Sequence, residues 1–412
     1  MTVPLLDGGI AVRANDPGAV PKILEKLLMF RKSSITEGND SRLDMLALAR
    51  SLVVALETPR ETMIKHNWVQ PGCHTAITAC YNAGVFRVLA EKNGPTKVDE
   101  IASELGVPRQ TLARMMKHIA AMGYIKEIGA DEYAPTNFSK ALNIPIIGDG
   151  YPCLAGGAHP SCSKFPEYLK GTNYELTSDV ESGPYQFAFN TKMSMFEYMI
   201  AHPPLGHQFN HHMSGYRQGR PSWMDRDFYP VKERLVKGMD TSKDAVMLVD
   251  VGGGHGHDIE EFRLKHPNAP GRLILQDLPP VIDGIEHLHD DVERMKYDFH
   301  TEQLIKAARA YYLHSVLHDW PDDMCKSILK QVAGAMKQGY SKLLINEIII
   351  PDQGADSEAT GLDMMMMTLF SSKERTMEEW RRLLESPGLD LKIVKVWSVK
   401  HSQESLIECE LA

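Results

Sequence analysis

The sequence predicts an α/β protein: a mostly helical N-terminal part, then, from about residue 241, a sheet whose strands alternate with helices. Three observations lead there. The run AVMLVDV passes straight into Gly252-Gly253-Gly254-His255-Gly256, a strand feeding a glycine-rich turn. The short apolar runs RLILQD, ARAYYLH and KLLINEIII follow, spaced by helical segments, as strands buried on both faces of a parallel sheet do. Upstream, residues 66–140 read as helix, helix-turn-helix and hairpin, the succession of a winged helix.

In chain order, residues 1 to about 65 are expected to be helical, with apolar positions in PKILEKLLMF and LDMLALARSLVVAL. That surface is too apolar for a free-standing tail and implies a partner or a second subunit. TAITACYNAGVFRVL is expected as one helix, stopped by Asn93-Gly94-Pro95, and VDEIASELG as a second, ending at Gly106. In RQTLARMMKHIAAMG, Leu112, Met115, Met116 and Ile119 fall at i, i+3, i+4 and i+7 and make one apolar face. YIKEIGADEYAPT predicts a hairpin turning near Ala130-Asp131. Residues 141–195, rich in Pro, Gly and Ser, are expected as an irregular crossing between domains. LKIVKVWSV and SLIECEL, close together at the end, predict an antiparallel pair closing the sheet. The expected division is 1–140, 141–240 and 241–412.

Composition narrows the function. A chain of 412 residues holds two ordinary domains, and a net charge of −9 argues against a nucleic-acid partner held by phosphate contacts. Residues 66–140 carry 8 Lys/Arg against 7 Asp/Glu with no basic stripe, so the winged helix reads as structural rather than DNA-binding. Six scattered cysteines without a C-x-x-C pair suit reduced thiols and suggest neither disulfides nor a metal site. No basic start leads into an apolar run, and no stretch reaches the roughly 18 apolar residues of a membrane span, so a cytoplasmic protein with no membrane partner is expected.

The glycine-rich turn lets a ligand approach the backbone, and the helix after it offers free N–H groups. Asp277, ending the next strand, is placed to accept hydrogen bonds from two ribose hydroxyls. NAD and S-adenosylmethionine both answer to that description. Asp250, a carboxylate leading the glycines, suits an ammonium better than a pyrophosphate, and the antiparallel end of the sheet points the same way. Both favour S-adenosylmethionine.

These motifs resemble the class I small-molecule O-methyltransferases of the plant caffeic acid type, in their fungal form. DVGGGHGH is similar to the family's glycine-rich motif, and Gln276-Asp277-Leu278-Pro279 to its ribose motif. Asp298-Phe299 fits the adenine contact, HSVLHDW over 314–320 the catalytic strand end, and Lys373-Glu374-Arg375-Thr376 the late acidic motif. The resemblance implies a Rossmann-like S-adenosylmethionine methyltransferase sheet with an N-terminal winged-helix, mostly α dimerisation domain. It implies a homodimer, S-adenosylmethionine as cofactor and a small-molecule hydroxyl as acceptor. Asp250, Gly252, Gly254, Asp277, Leu278, Asp298 and Phe299 would hold the cofactor. His314 stands where the plant enzymes have a cofactor-contacting lysine. His318 would be the general base, with Glu347 and Glu374 holding its imidazole. Phe209 and Met213 in FNHHMSGYR, Met366 in the methionine run, and Asp319 would face the acceptor.

The residue types suit that chemistry. Methyl transfer from a sulfonium is an in-line displacement, so alignment supplies much of the rate. A phenol of pKa about 10 must lose its proton as it attacks, and histidine is suited to take it near neutral pH. A carboxylate on the other ring nitrogen fixes the tautomer. Two rivals remain at this level: a same-fold pericyclase or isomerase using the bound cofactor as a charge, and a winged-helix DNA-binding regulator. The resembling pericyclases carry Arg or Lys at the base position, where this chain has His318.

Overall fold

The computed structural model describes residues 7–30, 39–177, 179, 181–216 and 218–412. Of the expected helical N-terminus, residues 1–6 and 31–38 lie outside the described residues. The chain forms two compact units, Met1–Gly156 with Pro204–Tyr216, and Gly157–Pro203 with Arg217–Ala412.

The first unit opens with the helices Val20–Met29 and Asn39–Leu56. The winged helix follows: helices Val98–Leu105 and Arg109–Ala121 lead into a three-stranded antiparallel sheet. Its strands are β1 (Thr96–Lys97), β2 (Ile125–Gly129) and β3 (Glu132–Pro135), in the order β1-β3-β2. Asp131 turns the hairpin at φ +49°, as the sequence placed it. The helix expected over TAITACYNAGVFRVL is two helices, Gln70–Ala83 and Val85–Lys92. Gly84 breaks it at φ +85°, a left-handed conformation that only glycine adopts freely. The break turns Val85, Phe86, Val88 and Leu89 into one core with Ile77, Ile101, Met116 and Ile119.

Residues 141–195 are not an irregular crossing. They fold as the helices Pro145–Gly148, Gly150–Gly157, His159–Gly171 and Pro184–Phe189, with a start of another at Met195. Pro145, Pro160 and Pro184 stand in the first positions of their helices, where a missing N–H is harmless and a fixed φ helps. The glycines serve close packing rather than turns. A Cβ on Gly148 would fall 2.1 Å from Leu142 O, and one on Gly157 2.6 Å from Met199 Cε.

The second unit carries the large sheet. Its strands are β4 (Val246–Val251), β5 (Arg272–Asp277), β6 (Val292–Lys296), β7 (Ala310–His314), β8 (Lys342–Ile350), β9 (Arg375–Thr376), β10 (Leu391–Trp397) and β11 (Glu404–Leu411). The order is β10-β11-β8-β7-β4-β5-β6, with the short β9 paired to β8. β6, β5, β4, β7 and β8 run parallel, whereas β11 lies antiparallel to both β8 and β10. Alternate residues feed two cores: Tyr311, Leu313 and Ile345 enter one, Ala310, Tyr312 and Leu344 the other. Between β4 and β7 the strand order reverses, the place where an open α/β sheet leaves a crevice at its carboxyl ends. Among the described residues no helix is long and apolar enough to cross a membrane.

One buried charge locks the antiparallel edge. Glu408 of β11 is fully buried, with Arg234 Nη2 at 2.6 Å, Lys342 Nζ at 2.8 Å and Trp397 Nε1 at 3.1 Å. Burial pushes its pKa up, but the hydrogen bonds and charges of Arg234 and Lys342 outweigh burial and hold the carboxyl below its ordinary range. Folding therefore favours the ionised form, whose stabilisation is complete near neutral pH and fades as pH falls through the lowered value. Glu408→Gln is expected to reduce the unfolding free energy in urea by about 3–5 kcal/mol at pH 7. The gap between variant and parent should narrow below about pH 4.

Candidate active site

At the end of β4, Asp250 is buried and Gly252 turns the chain at φ +74°. A side chain on Gly252 would press on Val316 Cγ2 at 3.0 Å and approach Phe299 Cε1 at 3.6 Å, so the backbone comes close to both. Gly254, at φ +59°, faces open space and donates its N–H to Asp277 Oδ2 at 2.8 Å. Asp277 Oδ1 accepts the Leu278 N–H at 2.7 Å. Burial raises the pKa of this carboxyl against those two backbone bonds, which lower it. Each oxygen thus accepts one fixed N–H and keeps a lone pair for an outside donor, which suits a pair of ribose hydroxyls. Beyond Asp277, Leu278 is half-exposed and Asp298 exposed at the rim, while the Phe299 ring stands edge-on to Trp320 at 6.0 Å. These residues fit an adenosine-bearing cofactor: an open glycine turn, a fixed acceptor and an aromatic face.

The adjacent strand, β7, leads into the turn that carries His318. After His314 the chain reverses at Ser315, φ +49°, and enters the single turn Leu317–Asp319. Glu347 Oε1 accepts two backbone N–H groups of that turn, from Val316 at 3.1 Å and Leu317 at 2.9 Å. From below, the fully buried Arg375 donates to Leu317 O and Trp320 O, each at 2.9 Å, and to Asp322 Oδ1 at 2.8 Å. The residue before it, Glu374, places Oε1 at 2.6 Å from His318 Nδ1. His318, Glu347 and Glu374 are all buried. Their ligand atoms lie within 4.8 Å of one another, close enough for a cation, but 2.6 Å is the length of a strong hydrogen bond.

The electrostatics follow from that crowding. Burial is the largest single influence on His318 and pulls its pKa down. Glu347, Asp319 and Glu374 together outweigh it and raise the imidazole to about 10. Burial likewise lifts Asp319 to about 7 and raises Glu347, with Glu374 adding repulsion. His318 Nε2 lies on the side of Asp319, whose Oδ1 is 3.5 Å away. Asp319 and Trp320 form one wall of a pocket closed by Gly183, Met195, Phe196 and Phe370.

The structure brings together Gly254, Asp277 and Leu278 by direct hydrogen bonds, Gly252 with Phe299 by proximity, and His318 with Glu347, Glu374 and Asp319. Met366 is buried on the helix Ser357–Phe370, whose Asp363 accepts the Glu374 N–H at 2.8 Å. Phe209 and Met213 lie on the helix Leu205–Tyr216 of the other unit, Met213 exposed. His314 has both ring nitrogens on carboxylates, Asp258 and Glu404. Sequence reasoning missed Arg375 as the clamp of the catalytic turn, since a buried arginine and a surface one look alike in a polar stretch. It also missed the pocket wall around Gly183 and Phe196, which no motif marks.

A family model described as an O-methyltransferase domain matches residues 173–390, and one described as the sugar-specific transcriptional regulator TrmB matches residues 79–140. O-methyltransferase mpaG of Penicillium brevicompactum is 34% identical, over 95% of this chain and 98% of its own length. Methyltransferase cfoC of Aspergillus candidus is 35% identical over 90% of each chain. Among solved structures, LepI in complex with S-adenosylmethionine superposes with a TM-score of 0.86 at 26% identity, covering 96% of this chain and 99% of the other. OxaC in complex with sinefungin and meleagrin gives a TM-score of 0.83 at 26% identity, with the same coverage. The TrmB match fits the winged helix, whereas the O-methyltransferase match spans β4 to β9, including the strand ends that carry the glycine turn and His318. Similarity at this level, sustained along nearly the whole of both chains, exceeds a shared sheet architecture: the chain belongs to the S-adenosylmethionine-dependent O-methyltransferase family, in its fungal secondary-metabolite form.

Proposed function

We propose that the protein methylates a hydroxyl of a small aromatic or polyketide-like secondary metabolite, with His318 removing the hydroxyl proton. The bound cofactor supplies an electrophilic methyl on a sulfonium, which an oxygen can displace in line. The observation that carries the reading is the 2.6 Å contact between His318 Nδ1 and Glu374 Oε1. In the neutral ring, the contact would keep the hydrogen on Nδ1 and leave Nε2 to accept, beside Asp319 of the pocket wall. Asp250, Gly252, Gly254, Asp277, Leu278, Asp298 and Phe299 would hold the cofactor, and the apolar wall of Met195, Phe196 and Phe370 would exclude water from the acceptor. Glu347 would act on the turn by hydrogen bonds and on the ring by charge alone: its two backbone bonds hold the turn that carries His318, and its second oxygen lies 3.7 Å from Nδ1.

A base raised to about 10 is matched to a phenol of pKa about 10, so proton transfer is close to balanced. His318→Ala is expected to lower turnover by about 10²–10⁴ while leaving S-adenosylmethionine affinity unchanged by calorimetry. Activity of the variant should partly recover as pH approaches that of the acceptor's own ionisation. Near-normal turnover of His318→Ala at pH 7, with chemistry limiting, would remove His318 as the base.

The raised value also sets a pH dependence. A neutral imidazole becomes more abundant as pH rises, so kcat/KM should climb with an inflection well above the ordinary histidine value of about 6.5. Glu347→Gln keeps an oxygen for the two backbone N–H groups but removes the largest charge holding the imidazole up. Its inflection is expected at lower pH than the parent's, and an unmoved profile would contradict this account.

A second reading is favoured by the likeness to a structure described as a pericyclic reaction enzyme, TM-score 0.86 at 26% identity. There the cofactor would act by charge alone. Stoichiometric S-adenosylhomocysteine with product supports transfer, and turnover without it supports the rival.

The same reading includes a second copy of the chain. The helix Val20–Met29 buries none of its residues, and Leu28, Met29, Val53, Val54 and Trp68 are between 50% and 77% exposed. So much apolar surface calls for a partner. Light scattering is expected to give twice the mass of one chain, and Leu28→Asp with Val53→Asp to shift it toward the monomer.

A further inference from the structure

His314 ends β7, just before the turn that carries His318, and both of its nitrogens are taken. Nδ1 lies 2.7 Å from Asp258 Oδ2, which also accepts the Tyr312 hydroxyl at 2.8 Å. Nε2 lies 3.1 Å from Glu404 Oε1, while Glu404 Oε2 accepts the Asn346 amide at 3.1 Å. Arg220 adds a second cation, with Nη1 3.5 Å from Glu404 and Nη2 on Glu358. The side chains of His314, Asp258 and Glu404 are 11%, 10% and 5% exposed. Carboxylates so withdrawn from water are costly unless paired. A neutral imidazole has one N–H and can donate to one of them, whereas an imidazolium has two and donates to both.

The position of Asp258 gives this cluster its reach. It stands in the first turn of the helix His257–Lys265, whose N-cap, Gly256, is the last glycine of the cofactor loop. The Gly254 N–H of that loop in turn holds Asp277. His314 thus joins three segments: the helix behind the loop, the end of β7 and the start of β11.

We propose that His314 is a positioning residue for the cofactor: by bridging the buried carboxylates of Asp258 and Glu404 it pins the helix behind the glycine-rich loop to β7 and β11, and cofactor affinity depends on that bridge. The proposal rests on the S-adenosylmethionine reading. Among the described residues, the charged and titratable groups facing His314 are Asp258, Tyr312, Glu404 and Arg220, with Glu347 on the neighbouring β8 also feeling its charge. Without the bridge, both carboxylates lose a contact, the helix start loosens and the loop loses its fixed shape.

Calorimetry with S-adenosylhomocysteine as the probe tests this without turnover. At neutral pH, His314→Gln is expected to bind about tenfold more weakly or worse, the loss of a charge-assisted hydrogen bond. His314→Lys, which restores a cation, should stay within about threefold of the parent. A lysine variant that binds as weakly as the glutamine variant, or a glutamine variant that binds like the parent, would overturn the proposal and leave methyl transfer standing. Should His314→Gln fail to fold, the comparison of parent with His314→Lys decides alone. A parent that binds no probe at any pH would overturn this proposal together with the cofactor reading.

Discussion

Everything at the reactive end of the sheet depends on one hydrogen bond, His318 Nδ1 to Glu374 Oε1, made where neither partner can fall back on water. A buried carboxylate without a donor costs several kcal/mol, and a buried imidazole flanked by three carboxylates is comfortable only when it holds a proton. The two side chains come from segments separated by the helices Asp322–Ala333 and Ser357–Phe370 and by β8. Their separation must nonetheless hold to tenths of an ångström, since hydrogen bonds of this kind weaken quickly with distance and angle. Glu347 fixes the turn from the strand beside it, and Arg375 fixes it from the segment that carries Glu374. Because Arg375 follows Glu374 directly, the clamp and the carboxylate move as one piece.

The same crowding explains why the site is built from carboxylates at all. An isolated buried histidine would be easier to deprotonate than one in water, and so a poor acceptor for the proton of a hydroxyl. Surrounding it with Glu347, Asp319 and Glu374 reverses the sign of the shift. The carboxylates carry the opposite burden, and Asp319 and Glu347 are pushed toward their neutral forms. The cluster therefore behaves as one titrating unit, in which a change at any member redistributes protons among the rest.

On the other side of the crevice the sheet uses backbone rather than charge. The glycine turn after β4 comes within side-chain reach of Val316 and Phe299, so the cofactor loop and the catalytic turn share a wall. Placing both on adjacent parallel strands, at the point where strand order reverses, brings the glycine turn and His318 together without any connecting motif. Glu408 at the far edge does comparable work for the antiparallel strands, holding β11 against β8 and against Arg234.

How much of this was legible beforehand follows from the range of each interaction. Strands β4, β5, β7 and β8 announce themselves because a strand buried on both faces is a continuous apolar run. β6, whose residues Val292–Lys296 are mostly exposed, has no such run and went unseen. The helices of 141–195 were hidden by their own prolines and glycines, which mark turns in a sequence but here start helices and admit close neighbours. Gly252, Gly254, Asp277 and His318 were readable since each sits at the end of a local pattern, strand then turn. What the sequence alone determined was the periodicity of the elements and the order of the motifs, both set by neighbours along the chain. The tertiary structure decided the rest: that Glu374 meets His318 directly while Glu347 holds the turn, that Arg375 is the clamp, and that His314 spends both nitrogens on Asp258 and Glu404. Those are distances between residues remote in sequence, fixed only when packing brings their segments into register.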